Sequence, residues 1–404
     1  MPRSRVLGLL SGTSVDAIDV AAAEFHLVGD LLELTPLGSL AVPHPEGLRE
    51  EMLAALLPAP SAPSVPSVPF SARRLCELDT RLGLAFAAAA ARGLAELADG
   101  AADVVASLGQ TLHHWVEDGR CLGTLQLGQP AWIAEATGLP VVADLRARDV
   151  AAGGQGAPLA AALDDLWLRD HAPAVALNLG GIANITAVGR DGATAAYDTG
   201  PANALLDAAC QWLSGGAATR DTDGATAAAG DVRGDLLARL LADPYYALPP
   251  PKSTGKERFH LGHLRAALAG LPTVRAQDLL ATLTELTAVT VADACRRHDA
   301  RLVVASGGGV RNPALLRALR RRLAPAELRV SDELGLPADA KEAYLAALLG
   351  FLTWHGLPGN LPAATGADGP RVLGSVTPGR RPARQPTPAA RAPIRLRLAP
   401  PTSR

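Results

Sequence analysis

Aromatic residues and cysteines are scarce in this chain of 404 residues. Phe, Trp and Tyr together make up 3% of it, so aromatic platforms on which bases or sugars could stack must be few. The four cysteines lie far apart and form no CxxC pair, which argues against a disulfide framework and against a zinc site. We therefore expect buried thiols at Cys76, Cys121, Cys210 and Cys295.

Long apolar runs and an excess of basic charge are also missing. The longest run without a polar residue, 82–91, is about ten residues long, half of what a bilayer span needs. The apolar stretch at 6–10 is too short for a signal peptide. The net charge is −2 at pH 7, and residues 377–404 carry seven arginines and no acid, which leaves −9 on the rest. This acidic body argues against sequence-independent nucleic-acid binding as the main function. We expect a cytoplasmic protein with neither a membrane nor a nucleic acid as its partner.

The composition is otherwise that of a folded protein with two or three domains. Apolar residues make up 48% and charged residues 19%, and the length can bury sizeable cores. Two segments lack a hydrophobic period. Residues 57–70 contain five prolines and are expected to form an extended insert, and residues 381–404 alternate Pro, Arg and Ala and are expected to be a disordered basic tail.

Strand-like and helix-like segments alternate in the remainder, and the two halves follow the same plan. In the first half we predict strands at 6–10, 18–25, 31–42, 104–108, 124–127 and 141–145, and helices at 73–98, after Pro130 and at 158–169. In the second half we predict strands at 175–179, 184–188, 194–197, 302–305 and 328–331, and helices at 202–213, 232–242, 276–297, 313–323 and 338–355. The duplication predicts two similar α/β lobes with a cleft between them. We assign residues 1–172 and about 340–380 to the N-terminal lobe, and 173–339 to the C-terminal lobe.

Three glycine-rich turns are the clearest chemical signal. They are Ser-Gly-Thr-Ser at 11–14, Asn-Leu-Gly-Gly at 178–181, and Gly-Gly-Gly at 307–309. Glycine lets backbone amides approach phosphate oxygens closely, so three such turns, placed similarly in the two halves, favour phosphate binding. No stretch completes G-x-x-x-x-G-K-[ST] or G-x-G-x-x-G, which disfavours a P-loop or Rossmann site.

Three aspartates are candidates for chemistry beside these turns. Asp16 and Asp19 come after the first turn, and in a strand their spacing places them on opposite faces, so only one can reach the metal of a bound nucleotide. We favour Asp16, with turn capping as the alternative. Asp198 lies between a predicted strand end and a helix, where a general base could take a proton from a hydroxyl or a water. An ordinary turn at Asp-Thr-Gly-Pro is the alternative.

Charged residues precede the flexible loop at 153–158. Arg146, Arg148 and Asp149 could bind a carboxylate or sugar hydroxyls there, because arginine is suited to bidentate contacts. A solvated charged edge is the alternative.

Further polar residues follow other predicted elements. Gln110, Thr111 and His113 come after a strand and resemble a polar cleft wall. Lys252 opens a cationic, hydroxyl-rich loop that could lie beside substrate or phosphates. Glu342 is a charged residue in an apolar helix and faces either solvent or the cleft.

Six motifs along the chain form one set. They are GLLSGTSVD at 8–16, GQTLHH at 109–114, VADLRARDVAAGGQGAP at 142–158, NLGGIAN at 178–184, DTGP at 198–201 and PKSTG at 251–255. In this order they closely resemble the motifs of the anhydro-N-acetylmuramic acid kinase family. The resemblance extends over residues 5–379, and the string AAGGQGAP is highly specific.

The resemblance implies a fold and a reaction. The fold is α/β and two-lobed, of the actin/hexokinase-like (ribonuclease H-like) type with a central ATP/sugar cleft, and the cofactors are ATP and Mg²⁺. Water opens the ring of 1,6-anhydro-N-acetylmuramic acid at C1 while O6 takes the γ-phosphoryl group, which yields N-acetylmuramic acid 6-phosphate in cell-wall recycling. The partners are therefore a small-molecule sugar and ATP, and a homodimer is left open. The alternatives are a kinase of another sugar on the same fold and an actin/chaperone-like ATP-driven switch.

The resemblance also suggests roles for individual residues. By position, Asp198 matches the base that deprotonates the water, Glu342 matches an acid that helps to hold it, and residues 12–19 match the ATP phosphate loop. The residues that we expect to bind ATP are Gly12, Thr13, Ser14, Val15, Asp16, Ala17, Ile18, Asp19, Gly180, Gly181, Gly307, Gly308 and Gly309. The residues that we expect to bind the sugar are Gln110, Thr111, His113, Arg146, Asp149, Gln155 and Lys252. Asp16 is expected to hold Mg²⁺ through water.

The sequence departs from the family pattern at four of the matched positions. The family usually has His where Leu108 stands, Phe where Leu145 stands, and Gly where Ala17 and Ala202 stand. The change at Leu108 removes a polar group near Gln110.

Overall fold

The computed structural model describes residues 3–12, 14–56, 71–380, 386 and 389–400. Thr13 and the insert expected at 57–70 lie outside these residues. The chain divides into two compact units. Unit 1 is Met1–Leu166 with Ala340–Arg404, and unit 2 is Trp167–Asp339. The boundaries between the units thus fall after residues 166 and 339, whereas the sequence suggested boundaries after residue 172 and at about 340.

Strands and helices alternate within the described residues much as predicted. The strands are β1 (Ser4–Ser11), β2 (Ala17–Val28), β3 (Leu31–Pro43), β4 (Val104–Glu117), β5 (Arg120–Leu127), β6 (Val141–Ala143), β7 (Ala174–Leu179), β8 (Ile182–Val188), β9 (Thr194–Pro201), β10 (Leu302–Ser306), β11 (Glu327–Val330), β12 (Ser375–Thr377) and β13 (Arg395–Leu398). The α-helices are α1 (Leu48–Leu56), α2 (Ala72–Leu97), α3 (Pro130–Thr137), α4 (Ala147–Ala151), α5 (Ala160–Leu168), α6 (Asn203–Leu213), α7 (Ala225–Ala228), α8 (Gly234–Leu241), α9 (Leu261–Leu268), α10 (Ala276–Arg296), α11 (Pro313–Leu323), α12 (Lys341–Trp354) and α13 (Pro362–Thr365).

Unit 1 is built on a mixed sheet with strand order β12-β6-β4-β1-β2-β3-β13, and β5 pairs with β4. Strands β1, β2 and β3 are antiparallel neighbours, whereas β4 is parallel to β1, and β6 is parallel to β4. Helix α12 lies so close to β1 that a Cβ at Gly8 would be 2.2 Å from the Ala343 carbonyl oxygen. On α2, a Cβ at Gly93 would be 2.5 Å from a methyl carbon of Val20 in β2. Two small residues therefore permit close helix–sheet packing.

Part of the C-terminal tail is ordered, contrary to the sequence prediction. Strand β13 pairs in parallel with Leu31–Leu34 of β3. The side chain of Leu396 is 3% exposed, whereas its neighbour Arg397 faces solvent. The short Arg-Leu-Arg-Leu alternation is a strand pattern with period two, and the surrounding Pro and Ala residues hid it.

Unit 2 repeats the topology. Its sheet has the order β11-β10-β7-β8-β9. Strands β7, β8 and β9 are antiparallel neighbours, whereas β10 is parallel to β7, and β11 is parallel to β10. This matches the order β6-β4-β1-β2-β3 of unit 1, with the same strand directions. The predicted duplication is confirmed, and with it the actin/hexokinase-like fold class.

Two further expectations from the sequence concern the burial of the cysteines and the absence of membrane-spanning helices. Three cysteines are buried as predicted, but Cys76 is exposed, because it lies on the solvent-facing side of the amphipathic helix α2. In the described part of the chain, each helix is either too short or too polar to cross a membrane.

Candidate functional site

The first glycine turn joins β1 to β2 in unit 1 and is held by helix α1. Val15 is buried and has a φ of 54°, a conformation that is disfavoured for a β-branched residue. Its N–H donates to the Gly12 carbonyl at 3.0 Å. Arg49 of α1 donates from Nε to the Val15 carbonyl at 3.0 Å and from Nη2 to Asp16 Oδ1 at 3.2 Å. Helix α1, which the sequence analysis missed, thus fixes the shape of this turn.

The residues after the turn differ in what they can offer a nucleotide. Ser14 and Asp16 are exposed, and the Asp16 side chain has 71% exposure. Ala17, Ile18 and Asp19 already belong to β2: Ile18 and Asp19 pair with both β1 and β3, whereas Ala17 pairs with β3. The Ile18 side chain is fully buried in the hydrophobic core, so the predicted contact of this residue with ATP would have to be made by its backbone.

Asp16 is suited to a magnesium ion held by nucleotide phosphates. Mg²⁺ in such sites keeps several waters and needs only one or two protein carboxylates. Among the described residues there is no cluster of three metal-ligating side chains that could hold an ion alone. An exposed carboxylate beside the first turn therefore fits the Mg²⁺ ion that the sequence resemblance implies, with Arg49 sharing one of its oxygens.

Gln110 of β4 is a buried polar residue next to the first turn. It is 0% exposed, and its Nε2 donates to the carbonyls of Gly12 at 3.3 Å and Thr111 at 3.2 Å. Its Oε1 is buried and has no partner among the described residues. Such an atom is costly to leave unpaired, which is consistent with the predicted role in binding the sugar. Thr111 is half-buried and His113 is exposed on the same strand.

Asp149 holds the loop at 153–156 in place. The residue is fully buried, and its Oδ2 accepts from the Gly156 N–H at 2.9 Å. Its Oδ1 accepts from Asn360 Nδ2 and from Thr365 Oγ1, both at 2.8 Å. A Cβ at Gly154 would lie 2.2 Å from Oδ2, so only glycine fits there. The predicted contact between Asp149 and the sugar is therefore not supported, because both of its carboxylate oxygens accept hydrogen bonds inside the protein.

Arg146 and Glu342 of unit 1 lie close enough for their charges to interact. Arg146 donates from Nη1 to the Gly156 carbonyl at 2.8 Å, and its Nε is buried with no partner among the described residues. Burial lowers the pKa of Arg146, and the nearby negative charge of Glu342 opposes this change. Glu342 is exposed in the first turn of α12, whereas Lys341 beside it is buried in an ion pair with Asp164 at 2.5 Å. The prediction that Glu342 faces a functional surface therefore remains open to test.

Gln155 connects the glycine loop to the β4–β5 hairpin. Its Oε1 accepts from the Cys121 N–H at 3.1 Å, and its Nε2 donates to the Gly119 carbonyl at 3.2 Å. These bonds fix the loop against the hairpin, a positioning role that the sequence analysis did not foresee.

Asp198 lies on the edge strand β9 of unit 2. Its Oδ2 accepts from the Thr254 N–H at 2.9 Å. Its main-chain N–H donates to the Lys252 carbonyl at 3.1 Å, and its carbonyl accepts from the Tyr245 hydroxyl at 2.7 Å. Burial raises the pKa of Asp198 to about 6, the Thr254 hydrogen bond lowers it, and the charge of Glu257 raises it further. A half-buried carboxylate with this pKa is suited to accepting a proton near neutral pH.

The second glycine turn is docked on the N-terminus of α6. The Gly181 carbonyl accepts from the N–H groups of Ala202 and Ala204, both at 2.9 Å. The Gly180 carbonyl accepts from Asn203, at 3.1 Å from its N–H and at 2.8 Å from Nδ2. The turn is thereby fixed with its carbonyls directed at the helix.

The third glycine segment lies against the second. Gly307 has a φ of 82°, and a Cβ there would be 2.4 Å from Asn178 Oδ1. A Cβ at Gly309 would be 2.6 Å from the Cβ of Leu179. Two glycine turns that are far apart in the sequence thus form one backbone-lined surface in unit 2, as phosphate binding would require.

Lys256 is the last residue of the cationic loop that the sequence places beside substrate or phosphates, but it was not among the residues expected to bind ATP. A Cβ at Gly181 would lie 3.1 Å from Lys256 Cε and 4.0 Å from Nζ. Its positive charge also lowers the pKa of Asp207, which burial raises. The dipeptide Gly255-Lys256 matches two residues of the P-loop motif. It did not identify Lys256 as a phosphate-binding residue because the upstream glycine and the following hydroxyl residue of that motif are missing.

Lys252, by contrast, is not directed at the Asp198 carboxylate. Its Nζ donates to the carbonyls of Tyr245 at 3.1 Å and Tyr246 at 3.3 Å and lies 4.5 Å from the centre of the Tyr245 ring. The charge that acts on Lys252 is that of Arg297. The predicted contact of Lys252 with a sugar beside the Asp198 carboxylate is therefore not supported, since its ammonium group lies at the carbonyls of Tyr245 and Tyr246 instead.

The family model and the most similar curated relatives in the comparison cover almost the whole chain. The family model of anhydro-N-acetylmuramic acid kinase matches residues 4–379. The anhydro-N-acetylmuramic acid kinase of Streptomyces avermitilis is 61% identical over 395 residues, which are 98% of this chain and 100% of that protein. The one of Streptomyces coelicolor is 56% identical over 396 residues, which are 98% of this chain and 99% of that protein. A solved structure, (R)-2-hydroxyglutaryl-CoA dehydratase component A of Acidaminococcus fermentans, is 14% identical, with a TM-score of 0.44 and coverage of 86% of this chain and 98% of the other. The identities above 50% over almost the whole chain show that it belongs to the anhydro-N-acetylmuramic acid kinase family.

Proposed function

We propose that this protein is an ATP-dependent kinase that opens the ring of 1,6-anhydro-N-acetylmuramic acid with water and phosphorylates its O6. The products are N-acetylmuramic acid 6-phosphate and ADP. Membership of the family and the identity to relatives named for this activity support the sugar and the reaction. The observation on this chain that carries the proposal is the state of Asp198, a half-buried carboxylate whose pKa is raised to about 6.

Asp198 is assigned the role of general base. Water is a poor nucleophile, and a positioned base that takes its proton as it attacks C1 typically contributes about 10²–10⁴-fold to the rate. A carboxylate with a pKa of about 6 is about 90% ionised at pH 7, and it is a stronger base than an ordinary aspartate. The Thr254 N–H orients Oδ2 and leaves Oδ1 for the water.

Phosphoryl transfer needs mainly positioning and neutralisation of charge. In unit 1 the turn that ends in Asp16 offers backbone amides and a carboxylate. In unit 2 the turns at Gly180-Gly181 and 307–309 offer amides, and Lys256 offers a cation. Mg²⁺, held by Asp16 through water, would neutralise charge on the phosphates.

The sugar is assigned to polar groups of unit 1. Gln110 Oε1 and Arg146 Nε are buried atoms without a partner among the described residues, so a ligand with hydroxyl groups and a carboxylate would satisfy both. Glu342, whose charge acts on Arg146, is the second carboxylate that we assign to the chemistry. Asp149 and Gln155 shape the loop that carries these contacts.

The cellular role follows from the reaction. Because the enzyme consumes ATP and a sugar released from peptidoglycan, we place it in the cytoplasm, in cell-wall recycling and amino-sugar catabolism.

The test uses the purified protein with MgATP, 1,6-anhydro-N-acetylmuramic acid and ¹⁸O-labelled water. The proposal expects one ¹⁸O at C1 of the product together with phosphate on O6. Phosphate transfer without the label at C1 would indicate an ordinary sugar kinase. ATP hydrolysis at the same rate with and without the sugar, and no sugar phosphate, would indicate an ATP-driven switch, and both results would overturn the proposal.

A further inference from the structure

A cavity of about 330 Å³ lies behind strand β9 in unit 2. Tyr197 and Thr199 line it from β9. Because alternate side chains of a strand point to opposite faces, these two residues face away from the side that carries Asp198. Thr290 of α10 lines the opposite wall. The volume is at the lower end of the range of about 300–1,000 Å³ that is typical of ligand pockets.

The cavity has more positive than negative charge on its wall. Lys252 and Arg297 both line it, and within the described residues Arg297 has no acidic partner. Asp293 is the acid of the lining, and it is already paired with Arg296, which follows it on α10. The cavity wall therefore carries two cations, Lys252 and Arg297, and neither forms an ion pair with an acidic side chain of the described residues.

Two hydrogen-bond donors at the cavity are unused. The Tyr246 hydroxyl is buried and has no partner in the part of the chain that the structure describes, and the residue lines the cavity. The Lys252 ammonium uses two of its three N–H groups on backbone carbonyls, so one is left. Burial and the nearby Arg297 lower the pKa of Lys252, as expected for an ammonium group whose neighbours are carbonyls and an aromatic ring rather than a carboxylate. An anion would relieve both costs.

We propose that this cavity is a second binding site, for a small ligand that carries a phosphate group. Arg297, the remaining N–H of Lys252 and the Tyr246 hydroxyl are its donors. A phosphate has oxygens in tetrahedral directions and can accept from guanidinium, ammonium and hydroxyl groups at once. The volume leaves room for a compact body beside the phosphate.

The cavity is connected to Asp198 through residue 252. The Lys252 side chain lines the cavity, whereas its main-chain carbonyl accepts from the Asp198 N–H at 3.1 Å. Two residues further on, the Thr254 N–H holds the Asp198 carboxylate. A ligand that draws Lys252 away from the carbonyls of Tyr245 and Tyr246 therefore disturbs the segment that orients the base. The binding site stands on its own, and only this effect on turnover rests on the proposed function.

Binding is tested on the full-length protein with inorganic phosphate as the probe. A saturating non-hydrolysable ATP analogue fills the nucleotide site, and calorimetry measures the remaining phosphate binding. Arg297→Gln and Tyr246→Phe are expected to weaken it, the first by about 10- to 100-fold, the range for losing a hydrogen bond to a charged group. Arg320→Gln removes the same charge from an exposed site on α11 and should leave binding unchanged. Arg297 is itself exposed, so its replacement should not prevent folding.

Two further probes identify the ligand. If N-acetylmuramic acid 6-phosphate binds more tightly than inorganic phosphate, the ligand is a sugar phosphate. If the two affinities are equal, the ligand is free phosphate. If acetate bound as tightly as phosphate, the cavity would not distinguish phosphate from a carboxylate, and the assignment of the ligand to a phosphate compound would be overturned. No binding of phosphate, or equal binding by wild type and Arg297→Gln, would overturn the site.

Kinetics test the link to the base. Phosphate is expected to lower kcat in the wild type and in Arg320→Gln but not in Arg297→Gln, whereas competition with ATP would change only KM. Calorimetric binding with an unchanged kcat would overturn the link and leave the site. Absence of any sugar kinase activity would instead contradict the proposed function, and calorimetry would still decide on the cavity.

Discussion

Replacement of Asp198 by asparagine should have opposite effects on turnover and on stability. Asparagine has the same shape and its Oδ1 can still accept from the Thr254 N–H, but it cannot take a proton from water. We expect turnover to fall by about 10²–10⁴-fold, the usual contribution of a general base. Nucleotide binding should survive, because the glycine turns and Lys256 are untouched.

The stability effect follows from the pKa of the same carboxyl. Burial raises the pKa from 3.8 to about 6. The folded protein thus holds this proton more tightly than the unfolded chain does, and the stability gained from it is fully present below pH 3.8 and is lost as the pH rises through about 6. At about 1.4 kcal/mol for each pKa unit, the charged carboxylate costs the wild type up to about 3 kcal/mol at neutral pH. Because Asp198 is only half-buried, solvent screening makes this an upper limit.

The assay is differential scanning calorimetry of the full-length protein across a pH series. Asp198→Asn should unfold at a higher temperature than the wild type at about pH 7.5, by a few degrees for each kcal/mol, and the difference should shrink towards pH 4. Asp191→Asn, at an exposed aspartate of the same unit, should show neither this gain nor a loss of turnover. Asp198→Asn that is no more stable than the wild type at neutral pH, or that turns over normally, would refute the reasoning.

Three further substitutions test how the chain supports the site. Gly154→Ala forces a Cβ to 2.2 Å from Asp149 Oδ2, so we expect a loss of about 1–3 kcal/mol, seen as a lower Tm; an unchanged Tm would show that Asp149 does not hold this loop. Lys256→Met removes the cation beside the second glycine turn and should raise the KM for ATP about 10-fold or more, and steady-state kinetics with an unaltered KM would contradict its assignment to the phosphates. Arg49→Gln frees the Val15 carbonyl and loosens the first turn, so calorimetry should show weaker binding of an ATP analogue, with equal affinity as the contrary result.

The fold was predictable where burial is strong. The central strands β1 and β7 are buried on both faces, and their apolar runs identified them. Helix α1 was missed because only Leu48 and Met52 of its nine residues are buried, which leaves a weak helical period next to a proline-rich segment. Strand β13 was missed because four residues give too short an alternation to recognise.

The sequence indicated which residue types form the site, but not where their side chains point. Asp198 was singled out from its place between a strand and a helix, and its burial agrees with that role. Sequence proximity could not tell whether Asp149 points at a ligand or into the protein, since this depends on Asn360 and Thr365, more than 200 residues away. In the same way, the loop at 252–256 offered two lysines, and only the fold shows that Lys256 lies against the glycine turn.

The repeated topology explains why the glycine turns at 11–14 and 178–181 are equivalent. Each joins the first two strands of a sheet with the same order and directions, β1 to β2 in unit 1 and β7 to β8 in unit 2. Their supports differ, however. The first turn has a strained valine that Arg49 holds from α1, whereas the second has glycines docked on the N-terminus of α6. The repeated fold thus accounts for the position of both loops, whereas the charged side chains beside them differ: Arg49 and Asp16 lie beside the first turn, and Lys256 lies beside the second. Substitution of these charged residues should therefore change nucleotide affinity without changing the fold of either sheet.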